Sequence, residues 1–255
     1  MDANGATPRL GTMAGPGAWF AAAGGLAIMA ALGFSALGAI EELRSAPSPV
    51  DAVAEAGARY GWVVLALYGI ALLDIVVAWG LWRVLRIEQP GGAALAAAFR
   101  LAYAAVFVGA IAQLDHAVRI GVGADAATAG LTERDALVRE QVQGFDAAWN
   151  GGLLVFGAHL AVVGWLLIRR RGVVVTAIGA LVLVSGLGYA ADTVIRLLAP
   201  QLDAGVAVFT FIGEILLIGW LVAGGIRSAR GPDGRLDDPT GPSRPTARAL
   251  AAEGA

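Results

Sequence analysis

Residues 149–172 read WNGGLLVFGAHLAVVGWLLIRRRG, and this stretch decides the fold predicted for the whole chain. Its apolar part has about the 20 residues that a helix rising 1.5 Å per residue needs to cross a bilayer. One imidazole, His159, lies near the middle, and three consecutive arginines at 169–171 close the stretch. The arginines predict a cytoplasmic end, and the histidine predicts a polar partner inside the membrane.

The composition of the chain is typical of a membrane protein with several spans. Of its 255 residues 58% are hydrophobic and 15% are charged, whereas soluble domains average about 45–50% and about 25%. The absence of cysteine excludes disulfides and thiolate chemistry, and a net charge of −2 gives no electrostatic basis for binding nucleic acid. The chain has no lysine, so all 18 residues of the combined lysine and arginine count are arginines. This is typical of a GC-rich bacterial gene. The predicted location is therefore a bacterial cytoplasmic membrane.

Apolar runs separated by polar turns predict an all-α, polytopic bundle of six transmembrane helices. The predicted spans cover about residues 17–40, 60–82, 93–118, 149–168, 173–197 and 204–226. The first run exceeds the about 7–15 apolar residues of a secretory signal, which favours a retained span over a cleaved one. The spans form one domain of residues 17–226, flanked by tails at 1–16 and 227–255 whose composition predicts disorder.

Residues 123–146 form the only long polar loop of this predicted topology. Within it, Thr132-Glu133-Arg134-Asp135 has the spacing of a capping box ahead of an apolar run. The pattern predicts a short amphipathic helix, which would lie on the membrane surface or cap the bundle.

The distribution of arginine predicts that both termini are cytoplasmic. In this orientation the inner side holds twelve of the 18 arginines, including the triple arginine, and the outer side holds six. Trp79, Trp82 and Trp165 lie just before inner arginines, where interfacial anchors are expected. The lipid bilayer is thus the one partner that the sequence establishes, and a protein partner or homo-oligomer stays open.

Four ionisable residues lie deep within predicted spans, where each costs about 2.5–3.5 kcal/mol on insertion scales and requires a partner or a role. His159 lies ten residues after Trp149, and Glu214 lies ten residues after Ala204. Their matched depths predict a His159–Glu214 hydrogen bond. Counting along the hairpin of spans two and three also predicts an ion pair between Asp74 and Arg100. The candidate intramembrane site consists of Asp74, Arg100, His159 and Glu214.

A second group of charges lies near the outer ends of the spans. Headgroups and water reach this depth, which favours a solvated cluster over a binding site. The members of this candidate outer cluster are Asp115, His116, Arg119 and Asp192, with Arg196 nearby.

Two functional hypotheses fit these residues. The intramembrane residues form a polar pocket that binds or moves a small molecule or a proton, or they only hold helices together in a structural or regulatory membrane subunit. A subunit of that kind would bind its partner through its lipid-facing surface or the 123–146 loop. The sequence has no glycine-rich phosphate loop, nucleophile elbow or zinc-protease helix. No cofactor, metal site or catalytic residue is therefore predicted, and an enzyme is the least favoured class.

Five segments together resemble an uncharacterised bacterial membrane family, domain of unknown function 4386, over about residues 17–226. The segments are Asp74 within ALLDIVVAWGLWRVL, Ala98-Phe99-Arg100-Leu101, Phe156-Gly157-Ala158-His159-Leu160 through Gly164-Trp165-Leu166, Gly186-Leu187-Gly188-Tyr189 with Asp192, and Gly213-Glu214 followed by Trp220-Leu221. The resemblance implies a multi-helix membrane protein and carries no activity. It directs attention to four positions that match the family's pattern, Arg100, His159, Asp192 and Glu214.

Overall fold

The computed structural model describes residues 14–125, 129–199 and 207–230, and seven helices lie within these ranges. The helices are α1 (Pro16–Ser45), α2 (Pro49–Ala56), α3 (Arg59–Leu85), α4 (Pro90–Gly121), α5 (Leu131–Ile168), α6 (Val173–Leu198) and α7 (Ala207–Ala229). All except α2 are long and apolar enough to cross a membrane. The predicted all-α fold with six spans is therefore confirmed.

The helix bounds differ from the predicted spans mainly at their ends. Helix α1 continues beyond Ile40 to Ser45, and α7 continues to Ala229, so residues 227–229 of the predicted tail are helical. Apolar runs mark only the part of a helix that lies in hydrocarbon, whereas helices continue into the polar interface. Most of both predicted tails, residues 1–13 and 231–255, falls outside the described residues.

The spanning helices follow one another around a closed ring. Helix α1 packs against α3, and α3, α4, α5, α6 and α7 then pack in chain order. Helix α7 returns to pack against α1 and closes the ring. Side chains of α3, α4 and α5 that face the interior of this ring are fully buried.

Helix α5 corrects the prediction for residues 123–146. The expected short separate helix is instead the first part of one continuous helix of 38 residues that includes the fourth span. Val138, Val142 and Phe145 are buried and extend the apolar stripe of the span at helical spacing. This stripe, without any proline, favours one long helix.

Helix α2 lies between the first two predicted spans, where no helix was predicted. The capping-box prediction for α5 is wrong, because Asp135 contacts α2 instead. The N-cap of α5 is Gly130, with no side-chain cap. The Asp135 carboxylate instead accepts hydrogen bonds from the Val50 amide at 2.9 Å and from the Ser48 hydroxyl at 3.2 Å. Asp135 therefore stabilises the start of α2, a long-range contact that local spacing cannot reveal.

Further polar contacts fix the extended end of α5 to the α1–α2 turn. Arg44 pairs with Asp146 at 2.8 Å, and Arg139 donates to the carbonyls of Ala46 at 2.9 Å and Pro47 at 2.7 Å. This end of the bundle is consequently a packed polar cap.

Glycines bring α5 and α6 into direct backbone contact. A Cβ built on Gly157 would lie 2.5 Å from the Gly186 carbonyl oxygen, and one built on Gly186 would lie 2.5 Å from the Gly157 carbonyl oxygen. Neither position has space for a side chain. Small residues allow this approach in lipid, where helix association depends on packing rather than on the hydrophobic effect.

Replacing Gly157 by alanine should lower the free energy of unfolding by about 1–3 kcal/mol, because the added methyl group overpacks the α5–α6 contact. Gly109→Ala is the matched control, since a Cβ at Gly109 has no atom within 4 Å. Alanine favours helix over glycine, so the control should be neutral or stabilising. Unfolding of both variants in detergent measures the difference, and equal effects would contradict the close-contact explanation.

Candidate functional site

Three of the four candidate intramembrane residues meet at the centre of the ring. Asp74 on α3, Arg100 on α4 and His159 on α5 have exposed fractions of 0%, 1% and 0%. Sequence spacing placed them at comparable depths, and the ring turns all three towards one another. We call Asp74, Arg100, His159 and Glu214 the central polar layer.

Asp74 and Arg100 form the predicted ion pair. Arg100 Nη2 lies 2.7 Å from Asp74 Oδ1. The second carboxylate oxygen, Oδ2, receives no hydrogen bond from the described residues. Arg100 Nη2 also lies 3.8 Å from Met29 Sδ of α1. Asp74 Oδ2 is thus a buried oxygen without a hydrogen-bond partner in the described part of the chain.

His159 completes the layer through both of its ring nitrogens. Arg100 Nη1 lies 3.2 Å from His159 Nε2, and His159 Nδ1 lies 2.8 Å from the Ala96 carbonyl oxygen. A carbonyl can only accept and a guanidinium can only donate. The Nδ1–H tautomer of the neutral imidazole satisfies both contacts, donating to Ala96 and accepting from Arg100.

The predicted hydrogen bond between His159 and Glu214 is wrong. Both His159 nitrogens have partners on α4, whereas Glu214 accepts a hydrogen bond of 3.0 Å from the Tyr189 hydroxyl of α6. Glu214 is nevertheless linked to the layer through aromatic rings, because the Tyr189 ring packs against Phe156, whose ring lies 5.5 Å from the Arg100 guanidinium carbon. Tyr189 is a functional candidate that the sequence analysis did not single out.

Aromatic rings lie between the Asp74–Arg100–His159 group and the Tyr189–Glu214 pair. The Arg100 guanidinium carbon lies 5.5 Å from the centre of the Phe156 ring, within the range of a cation–π contact. Phe156 also packs against Tyr103 at 4.9 Å and against the edge of Tyr189 at 5.6 Å. The sequence signal for Phe156 is its position three residues before His159, which places both on one helix face.

The outer cluster assembles around a residue that the sequence analysis left out. Arg119 donates two hydrogen bonds to Asp125, at 2.7 and 3.1 Å, and His116 Nε2 lies 3.8 Å from the same carboxylate. The hydrogen bond from Arg119 holds the pKa of the Asp125 carboxyl below its usual range. Asp115 is half-buried on α4, whereas Asp192 is a buried residue of α6 with 5% exposure.

The side chains of the central polar layer can form hydrogen bonds, and its carboxyl and imidazole groups can bind or release a proton. Across the described residues, no group of three or more histidine, aspartate or glutamate side chains could hold a metal ion. The layer offers the buried carboxyl group of Asp74, the half-buried carboxyl group of Glu214, one permanent cation and one neutral imidazole.

Comparison with known proteins gives two matches. The family model described as "Domain of unknown function (DUF4386)" matches residues 21–225, a range that contains the whole central polar layer. An "Uncharacterized protein" of Archaeoglobus fulgidus is 26% identical over 162 residues, which cover 64% of this chain and 83% of that protein. No solved structure matches.

Proposed function

Since this chain belongs to the family described as domain of unknown function DUF4386, we propose a function from its own central polar layer, namely reversible binding of a proton within the membrane. The chain is a multi-pass membrane protein with six helices that can cross a bilayer. Proton binding is the form of the pocket hypothesis that this geometry supports best.

The Asp74 carboxylate carries the proposal. It is fully buried, and its Oδ2 has no hydrogen-bond partner among the described residues. A buried charge with an unsatisfied oxygen is costly, because its single ion pair compensates only part of the lost hydration. A proton neutralises the carboxylate and requires no volume in a closely packed layer. A small molecule would have to displace the ring of Phe156 or its neighbours.

Binding of a proton would remove the charged partner of Arg100. A proton that adds to Asp74 removes the negative charge opposite the guanidinium, and the other described polar contacts of Arg100 are to the neutral groups His159 Nε2 and Met29 Sδ. Asp74 lies on α3 and Arg100 lies on α4, so the proton weakens the attraction between these two helices. Intramembrane acids that act in this way are typical of proton relays.

Infrared spectroscopy of the purified protein tests this proposal. On acidification, we expect the carbonyl-stretch band of a protonated carboxylic acid, and we expect Asp74→Asn to remove one such component. Asp115→Asn, at the outer end of α4, is the matched control and should leave that component in place. A spectrum without an Asp74-dependent component, at every pH where the protein stays folded, would refute proton binding at this residue.

The second candidate function is a structural or regulatory membrane subunit, and one observation favours it. Arg100 contacts Met29, Asp74 and His159, so one side chain links α4 to three other helices. A residue of this kind fixes helix rotation whether or not a proton binds. Stability measurements on variants of Arg100 and His159 separate the two candidates.

We also propose the orientation predicted by the arginine counts, with both termini in the cytoplasm of a bacterial cell. The excess of arginine on that side supports the orientation. Cation–π contacts between tryptophans and three of these arginines fit helix ends that lie at a membrane interface. The pairs are Trp79–Arg83, Trp82–Arg86 and Trp165–Arg169, with distances of 5.9, 4.4 and 4.8 Å.

Reporter fusions test the orientation at two points. An enzymatic reporter that is active only in the cytoplasm should be active when fused after Pro90 and again when fused after Arg230. A fusion after Asp125 is the control and should be inactive. If the protein is expressed and the reporter is inactive in either of the first two fusions, the orientation is contradicted.

A further inference from the structure

A cavity of about 820 Å³ opens at the end of the bundle where α5 ends and α6 begins. It lies away from the central polar layer, at the side predicted to face the cytoplasm. Among its lining residues are Trp19, Arg169, Arg170, Arg171, Trp220 and Arg227. Three helices, α1, α6 and α7, meet the α5–α6 turn at this point.

The cavity carries a strong positive charge. Four arginines line it, and Glu88 is the one acidic residue among the lining side chains of the described chain. Glu88 Oε2 lies 3.3 Å from Arg170 Nε, so Glu88 is already paired with Arg170. Within the described residues, Arg169, Arg171 and Arg227 form no ion pair with a carboxylate. Within the part of the chain that the structure describes, these three guanidinium groups thus have no carboxylate partner.

Arg170 and the two tryptophans form the wall of the cavity. Arg170 Nη2 donates to the Val84 carbonyl at 2.8 Å, and its guanidinium carbon lies 5.5 Å from the centre of the Trp220 ring. Trp220 packs edge-on against Trp19 at 5.0 Å. Arg170 is therefore held in place by the fold, while the neighbouring arginines are exposed.

The surface beside the arginines is apolar. Val173 and Val174, the first residues of α6, are 87% and 72% exposed and line the same cavity. Exposed valines next to guanidinium groups match an amphiphile with an anionic head and an alkyl chain. The start of α6 has no side-chain cap, so its free amides add a partial positive charge to the same end.

We propose that this cavity binds the phosphate of an anionic ligand, and that this ligand is a membrane phospholipid. The guanidinium groups bind the phosphate oxygens, because arginine matches the geometry of phosphate and forms charge-assisted hydrogen bonds to it. The acyl chains lie along the exposed valines of α6. Basic pockets between transmembrane helices at the cytoplasmic side are a known physical basis for headgroup recognition.

Native mass spectrometry of the full-length protein tests the site with three probes, phosphatidylglycerol, phosphatidylcholine and inorganic phosphate. We expect phosphatidylglycerol to bind more tightly than phosphatidylcholine, and Arg169→Gln/Arg171→Gln to weaken its binding about tenfold or more, as the loss of two charge-assisted contacts implies. Arg83→Gln/Arg86→Gln is the matched control, since it removes two inner arginines outside the cavity lining and should change binding about twofold or less. Arg170 stays unchanged because it supports the fold.

The outcomes separate the possible sources of the phosphate. Competition of phosphatidylglycerol by inorganic phosphate at comparable concentration would overturn the lipid assignment and indicate a free anion as the ligand. Equal binding of the two lipids, or equal losses in the cavity variant and the control, would overturn the site itself. The cavity variant and the control should melt at similar temperatures, which excludes misfolding as the cause of lost binding.

Discussion

Replacing Arg100 by methionine should lower the free energy of unfolding by about 3–5 kcal/mol, the usual cost of removing one partner from a buried ion pair. Arg100 is 1% exposed, and it is the counter-charge that lies 2.7 Å from Asp74. Methionine fills a similar volume without a charge. The variant would therefore leave a carboxylate buried between α3 and α4 with nothing to compensate it.

The double variant Asp74→Leu/Arg100→Met should recover most of this loss. When both charges are replaced by apolar groups of similar size, the desolvation cost of the pair disappears with its attraction. Arg86→Met is the matched single control. Arg86 is half-buried over the Trp82 ring at 4.4 Å, a contact worth about 0.5–1 kcal/mol. Chemical unfolding in detergent measures all three variants on one scale.

A small loss for Arg100→Met, no greater than for Arg86→Met, would contradict a charged Asp74 in the resting protein. A neutral Asp74 needs no counter-charge, so the single variant would then resemble an ordinary core substitution. The same measurement at several pH values distinguishes the cases. If Asp74 binds a proton, the loss in free energy of unfolding caused by Arg100→Met should decrease on acidification. The proton then neutralises the carboxylate that the guanidinium no longer pairs with.

The ion pair and the spans were predictable because both follow from counting along helices. A membrane fixes where each helix begins and ends, so residue number becomes depth, and depth alone placed Asp74 beside Arg100. Depth leaves the rotation of each helix undefined. His159 and Glu214 lie at similar depths, but His159 faces Arg100 and Ala96, whereas Glu214 faces Tyr189.

The end of the bundle that contains the first part of α5 shows a second limit of sequence reasoning. Hydropathy separated the polar first part of α5 from the apolar span, although the buried residues Val138, Val142 and Phe145 continue the stripe of the span. The contacts that hold this part are made between distant residues, as with Arg44 and Asp146, which lie 102 positions apart. Pairings of this kind depend on the packed fold and leave no local pattern.

Replacing His159 by phenylalanine should lower the free energy of unfolding by about 1–3 kcal/mol, the cost of leaving a buried hydrogen-bonding group unsatisfied. The ring keeps its packing against Phe156, 5.8 Å away in the native protein, but Arg100 Nη1 loses its acceptor. His159→Gln is the matched variant, because its amide oxygen can accept from Arg100 and its amide nitrogen can donate to the Ala96 carbonyl. We expect glutamine to recover most of the stability that phenylalanine loses, and equal losses would contradict hydrogen bonding as the cause.

The glutamine variant also separates the two candidate functions. A glutamine cannot take up a proton, but it can orient Arg100 towards Asp74. If His159 acts only by orienting Arg100, the folded His159→Gln protein should keep the Asp74-dependent infrared component described above. Loss of that component from a protein with native stability would instead show that proton binding by Asp74 depends on the imidazole itself, since the hydrogen bonds to Arg100 and Ala96 would still be present. The structural-subunit hypothesis predicts a third pattern. Stability should then follow the hydrogen bonds, and no variant should show an Asp74-dependent infrared component. In that case the layer only fixes the rotation of α3, α4 and α5.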